Sequence, residues 1–171
     1  MKKITYLFLI VYALFFTISC DNKDDVPNFD SDGYVEAYFS GTQWYASAYG
    51  LWIVLTDDST TAHHLSIVGI RETVVASEET LDLSIAENST ISVGIFNLAK
   101  EDSEGKSNSR FFDSQGAFDY EFTSGNLTIE SLSSERATGT FSGTLRNASG
   151  DTLTVSRGVF DVPIDYQEAV N

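Results

Sequence analysis

Residues 34–48 read YVEAYFSGTQWYASA, and their alternation decides the fold class. Val35, Ala37 and Phe39 alternate with Glu36, Tyr38 and Ser40, so one face of the segment is apolar and the other polar. A period of two marks a half-buried strand, because successive side chains point to opposite faces. Ser40-Gly41 supplies a turn, and Trp44, Ala46 and Ala48 then resume the apolar phase. The stretch reads as a β-hairpin.

Working outward, the same rhythm recurs. Leu81, Leu83 and Ile85 alternate with Asp82, Ser84 and Ala86; Phe118, Tyr120 and Phe122 flank Asp119 and Glu121; Leu127 and Ile129 flank Thr128. Further strands are expected at 51–56, 64–70, 91–97, 109–113, 137–145 and 152–162. Turns are expected at Asp57-Asp58-Ser59, Ser124-Gly125-Asn126 and Ala148-Ser149-Gly150-Asp151. No stretch of a dozen residues carries a helical apolar stripe; 131–136 accommodates one helical turn at most, and 101–108 is polar enough to be a loop. The expected fold is all-β: a single antiparallel β-sandwich or partly closed β-barrel of about 9 to 11 strands. Consecutive hairpins favour closure, which hides edge strands.

The chain has 171 residues and is 42% apolar, enough for one domain with its own core. Its formal charge is −15, from 10 basic and 25 acidic side chains. Nucleic-acid binding needs clustered Lys and Arg, and no such cluster exists. There is one cysteine, so no internal disulfide can form.

That cysteine ends a distinctive leader. Met1-Lys2-Lys3 is followed by an apolar run from Ile4 to Ile18, then Ser19-Cys20. A basic start, a short apolar stretch and a small residue at the cleavage point mark a secretory signal. The run falls short of the roughly 20 residues that a membrane-spanning helix needs. Thr17-Ile18-Ser19-Cys20 resembles a lipobox, the recognition site of the lipoprotein signal peptidase, departing from it at Thr17, where Leu is usual. The resemblance implies cleavage before Cys20 and acylation of its sulfur. Two or more acyl chains hold a protein stably on a membrane. Asp21-Asn22-Lys23-Asp24-Asp25 then resembles the acidic export tag of Bacteroidota-type surface lipoproteins. Pro27 and Pro163 bracket the folded region, so the expected organisation is signal peptide 1–19, lipid-anchored acidic tether 20–32, β-domain 33–165 and C-terminal tail 166–171.

Three further features make the domain similar to small Bacteroidota-type surface lipoproteins of unknown function. They are Gly41-Thr42-Gln43-Trp44 in the first hairpin, Ser124-Gly125-Asn126-Leu127-Thr128-Ile129, and the closing Gly139-Thr140-Phe141 and Gly158-Val159-Phe160. These are turn glycines and core aromatics, so the similarity implies an anchored all-β domain in the outer membrane, facing the medium, and carries over no active site.

Candidate sites are few. Adjacent strand residues point to opposite faces, so His63-His64 is not expected to chelate a metal. Asn28-Phe29-Asp30-Ser31-Asp32-Gly33 begins like a calcium loop, but Phe39 stands where the bidentate Glu belongs. No metal is therefore assigned. Tyr45, Tyr49 and Trp52 are the expected binding strip: Trp52 is out of phase with Leu51, Ile53 and Leu55, which would place it outward beside the two tyrosines. Asp119 and Glu121 share a strand face about 7 Å apart, a spacing compatible with glycoside hydrolysis but common on any solvent-facing strand. Asp58-Ser59-Thr60 and Asp151-Thr152-Leu153 resemble the O-glycosylation signal of Bacteroidota-type exported proteins, with Ser59 and Thr152 as acceptors. No phosphate loop, dinucleotide fingerprint or nucleophile elbow is present, so neither cofactor nor catalytic set is assigned.

The expected function is that of a tethered binding module: membrane through lipid on Cys20, and a glycan, a peptide or an envelope protein through the β-domain. Two alternatives stand beside it. A carbohydrate-active hydrolase would use paired carboxylates. A lipocalin-like carrier would hold its ligand in an internal cavity lined by Phe118, Tyr120, Phe122 and Phe141.

Overall fold

The computed structural model of the protein describes residues 33–56, 61–73, 77–99 and 109–170. The expected signal peptide, Cys20, the expected tether, the calcium-like segment up to Asp32, the expected Asp57-Asp58-Ser59 turn with the expected acceptor Ser59, and the expected loop 101–108 lie outside these residues.

The hairpin read from 34–48 forms as β1 (Gly33–Phe39) and β2 (Thr42–Thr56), paired antiparallel without a register shift. Ser40 and Gly41 both have positive φ, 48° and 90°, as a two-residue hairpin needs if its turn is to match the twist of the strands. The remaining strands are β3 (Thr61–Glu72), β4 (Glu78–Glu87), β5 (Gly94–Asn97), β6 (Arg110–Asp113), β7 (Asp119–Leu132), β8 (Arg136–Asn147) and β9 (Thr152–Val170). Neighbours run β7-β6-β4-β3-β2-β1-β9-β8, and β8 returns to β7. The sheet therefore closes as an eight-stranded barrel, with β5 as one extra strand on β7.

β5 and β6 both run antiparallel to β7 and follow one another along it. The Leu98 N–H donates to the Gly125 carbonyl at 3.0 Å, and the Phe122 N–H donates to the Ser109 carbonyl at 3.1 Å. These bonds continue the ladder from β5 and from β6, so the two pair with successive stretches of the same edge of β7. Beside it, the Ser109 hydroxyl takes the place of a backbone bridge to β4, accepting from the Ser84 N–H at 2.9 Å and donating to the Ser84 carbonyl at 3.0 Å.

Alternation fills the barrel. Leu65, Ile67, Leu81, Leu83, Leu127 and Ile129 are fully buried and belong to one continuous apolar cluster. At the end nearest the Ser40-Gly41 turn, Phe39, Trp44 and Phe111 pack ring against ring at 4.4–5.7 Å. Trp44 Nε1 donates to Glu79 at 2.8 Å, and Glu79 is in turn held by Arg71, whose guanidinium lies over the Trp44 ring. The polar ends of this plug are thus satisfied.

Two sequence expectations are corrected. The first is the Ser124-Gly125-Asn126 turn, which is part of an unbroken β7. A bulge between Phe122 and Ser124 inserts one residue, and Gly125 takes φ 153° where an added Cβ would lie 2.6 Å from the Ser142 carbonyl. Inward phase shifts there from Tyr120 and Phe122 to Leu127 and Ile129, which read in sequence as two strands. The second is the tail 166–171. Proline cannot donate to a ladder, so Pro163 looked like the end of the domain. It sits instead where β9 passes the start of β1, and Ile164–Val170 then pair in parallel with residues 50–56 of β2. The 131–136 segment contains no helical turn: Ser133 closes a tight β7–β8 connection, its hydroxyl accepting from the N–H groups of Glu135 and Arg136.

Candidate functional site

Outside the barrel, β5, β7, β8 and β9 present a polar wall. Cross-strand register places Ile95, Thr128, Thr140 and Val159 in one row and Asn97, Asn126 and Ser142 in the next. All of these except Asn97 border an open groove of about 420 Å³, with Arg157 on its β9 side. That volume lies within the usual range for small-ligand sites. Ile95 is 72% exposed, an apolar shelf along the opposite edge.

Arg157 occupies an unusual backbone position. Opposite Phe141 to Gly143 of β8 and Glu36 to Tyr38 of β1, β9 carries one extra residue, and the register shifts against both neighbours. Arg157 meets this with φ 53°, a left-handed conformation that glycine normally supplies at a bulge. Its guanidinium carbon lies 5.7 Å from the Tyr38 ring centroid. Such strain concentrates at functional positions. Of the other four arginines of the described residues, two are ion-paired with a carboxylate and two stand opposite one in register. Arg71 pairs with Glu79 and Arg136 with Asp161, while Arg110 and Arg146 stand opposite Glu121. The hydrogen bond that Arg136 donates to Asp161 raises the Arg136 pKa above its ordinary value. Among the described residues no carboxylate lies within ion-pair distance of Arg157.

A second open cleft of about 590 Å³ lies beside the β8–β9 turn and includes Asp119, Glu121, Thr123 and Arg146. The two carboxylates share the outer face of β7, as their spacing required. They do not converge in an enclosed site: Asp119 is exposed, and Glu121 lies between Arg110 and Arg146. Charge compensation suits a solvated sheet surface better than acid–base chemistry.

The expected aromatic strip is divided between two faces. Tyr45 and Tyr49 point outward. Tyr45 stacks on Tyr34 at 6.2 Å, and burial, followed by the neighbouring Tyr34 and Glu36, pushes its phenol up to about 12. Tyr49 is 49% exposed. Trp52 continues the inward phase of Trp44, Ala46, Ala48 and Gly50 and packs on the core, edge to face with Tyr166 at 5.2 Å. Leu51, Ile53 and Leu55 are the residues that face out, and their apolar character reversed the apparent phase.

His63 is buried inside and His64 half-buried outside, so the pair diverges as alternation demands. Among the described residues no group of three His, Cys, Asp or Glu could hold a metal ion. Phe122 and Phe141 belong to the core, and Phe118 and Tyr120 pack beside Phe111 at successive centroid distances of 4.9 and 6.0 Å. Two of these rings thus belong to the apolar core and two pack against it. Thr152 is exposed at the start of β9, just after the turn closed by Asn147 and Asp151. Asp113 anchors the β6–β7 turn. Burial opposes its charge, but the N–H groups of Ala117 and Gln115 and the Ser77 hydroxyl prevail and lower its pKa.

Arg157 and the groove were not among the residues expected from sequence. A signal was present: the apolar phase of β9 runs through Leu153 and Val155, then through Phe160 and Val162, and the change of parity marks the bulge at 156–157. No family model, curated protein or solved structure matches this chain.

Proposed function

We propose that this chain is a cell-envelope lipoprotein, cleaved before Cys20 and anchored through lipid on that residue in the outer membrane, whose barrel is a binding module for a glycan. The supporting observation is the groove over β7 and β8: an open, polar, side-chain-built surface on a sheet wall backed by the apolar core. A rigid scaffold places side chains without an ordering cost at binding.

The floor of the groove also bears on the ligand. β8 is paired on both sides, with β7 and with β9. Its backbone groups are therefore used, and a peptide cannot add there as a further strand. Hydroxyl and amide side chains are what remain to offer, and they suit a polyhydroxylated ligand. The direction of the tether agrees with this role. The chain enters at Gly33, whereas the turns at 40–41, 114–118 and 148–151 all lie at the opposite end of the barrel. That end would face away from the membrane.

Two measurements test the proposal. Mass spectrometry of the native protein should show residues 1–19 missing and acyl chains on Cys20; an intact Met1 or a free thiol would remove the anchor. A glycan array probed with the chain lacking residues 1–20 should give signals that Ser142→Trp, which fills the groove, abolishes. Signals unchanged in that variant would place binding elsewhere.

A further inference from the structure

We infer that the groove selects a carboxylate-bearing sugar chain, with Arg157 as the residue that reads the carboxylate. The inference rests on the glycan reading of the groove and names its substrate class.

Charge distribution is the first ground. The protein has 25 acidic side chains against 10 basic ones, yet none of the described residues lining the groove is acidic. The nearest carboxylate in register is Glu36, opposite Val159, and it already accepts from Gln43 Nε2 at 2.8 Å. A chain rich in acidic side chains leaves the described lining of this groove without them. The field of the whole molecule repels anions, so an acidic ligand needs a local cation to dock.

The state of Arg157 is the second ground. It is exposed, has no carboxylate partner among the described residues, and sits over the Tyr38 ring. Stacking engages the face of a guanidinium and leaves its edge free, where the N–H fork matches a carboxylate in two parallel bonds. Glycine would take this bulge position without strain, whereas arginine does so only at a cost. The site thus retains a strained arginine with no carboxylate partner among the described residues.

The rest of the groove defines what carries the carboxylate. Thr128, Thr140, Asn126 and Ser142 offer hydroxyl and amide groups in two adjacent rows. Ring hydroxyls can exchange hydrogen bonds with these rows while the acid group reaches Arg157. Ile95 gives the apolar side of a sugar ring a surface to rest on.

The test uses the native protein in detergent micelles and three soluble polymers: polygalacturonate, its carboxyl-reduced neutral counterpart, and dextran sulfate. A hydrogen bond to a charged group contributes about 1.5–3 kcal/mol, roughly a ten- to hundredfold change in affinity. Polygalacturonate should therefore bind at least about tenfold more tightly than the reduced polymer. Arg157→Gly and Arg157→Gln should each erase that preference while keeping the circular-dichroism spectrum and melting transition of a folded barrel. Ser142→Trp should remove binding of both polymers. Equal binding of the acidic and neutral polymers by the unmodified protein overturns the inference and leaves the groove reading intact. So does an acid preference that survives in Arg157→Gly. Tighter binding of dextran sulfate overturns the carboxylate assignment, and binding of none of the three overturns the inference. An acid preference unaffected by Ser142→Trp removes both readings together.

Discussion

The β1–β2 hairpin and the β7–β8–β9 wall are built from the same strand chemistry and differ in regularity. The hairpin runs from Gly33↔Ala48 to Phe39↔Thr42 with no register shift, and its inner face carries Val35, Ala37 and Trp44 into the core. The wall is interrupted between Phe122 and Ser124, between Ile129 and Ser131, and between Phe141 and Gly143. Each bulge bends its strand, adds twist and re-aims the side chains beyond it. Regular pairing builds the plug of the barrel, and irregular pairing shapes the surface over which the groove lies. Substitutions should accordingly act on stability in the hairpin and on recognition in the wall.

The largest effect is expected in the hairpin. Trp44→Ala removes ring contacts with Phe39 and Phe111 and takes away the donor to Glu79. Truncating a buried Trp costs about 3–5 kcal/mol, readable as a lower midpoint in urea unfolding. A loss below about 1 kcal/mol would show that the plug is not the centre of the fold. The wall answers with a backbone effect. Gly125→Ala puts a Cβ against the Ser142 carbonyl at a φ that side chains rarely adopt, and should cost about 1–3 kcal/mol. A silent Gly125→Ala would mean the bulge can relax, and the contrast between the two regions would narrow.

The contrast also explains what could be read from the residues alone. Alternation is a local signal, and wherever a strand carried no inserted residue it located the strand well: β1, the first part of β2, β4 and β8 all stand where their apolar phase indicated. It failed at three kinds of place. At Gly125 a bulge looked like a turn, because both need glycine and both change parity. At Pro163 a strand passed from one partner to another, β1 to β2, and the exchange depends on contacts remote in sequence. At Trp52 outward-facing Leu51, Ile53 and Leu55 concealed an inward phase that Trp44, Ala46 and Ala48 had already set. The groove was hidden for a related reason. Its residues, from Ile95 to Val159, come from four strands and meet only when the barrel closes. Arg157 alone looks like any surface arginine until its φ and its lack of a carboxylate partner among the described residues are known.

Arg157 gives a sharper and smaller test of the wall. Arg157→Ala and Arg157→Gly both lose the contact with Tyr38, so their difference isolates the backbone. A left-handed conformation costs a residue with a Cβ roughly 1–2 kcal/mol relative to glycine. Thermal or urea unfolding should therefore find Arg157→Gly more stable than Arg157→Ala by about 1 kcal/mol, with both variants equally impaired in binding acidic sugars. Equal stability would mean that the bulge exerts no strain, and Arg157 would lose one of the two grounds for its role.

The smallest effect returns to the hairpin, on its outer face. The Tyr45 phenol is pushed up to about 12, first by burial and then by Tyr34 and Glu36 beside it. An unfolded tyrosine ionises near 10. A group whose folded pKa is raised adds stability that is fully present below its unfolded value and is lost as pH rises towards the folded one. The protein should thus lose stability between about pH 10 and 12, in part because the unfolded chain can ionise Tyr45 and the folded chain resists doing so. Tyr45→Phe cannot ionise, so urea midpoints measured across that window should fall less steeply than those of the unmodified protein. The other tyrosines titrate in both proteins, and the difference between the curves isolates this one. Partial exposure screens the interaction and keeps the difference modest. Parallel curves would show that the outer face of the hairpin is as solvated as the wall, and the two regions would then differ only in their interiors.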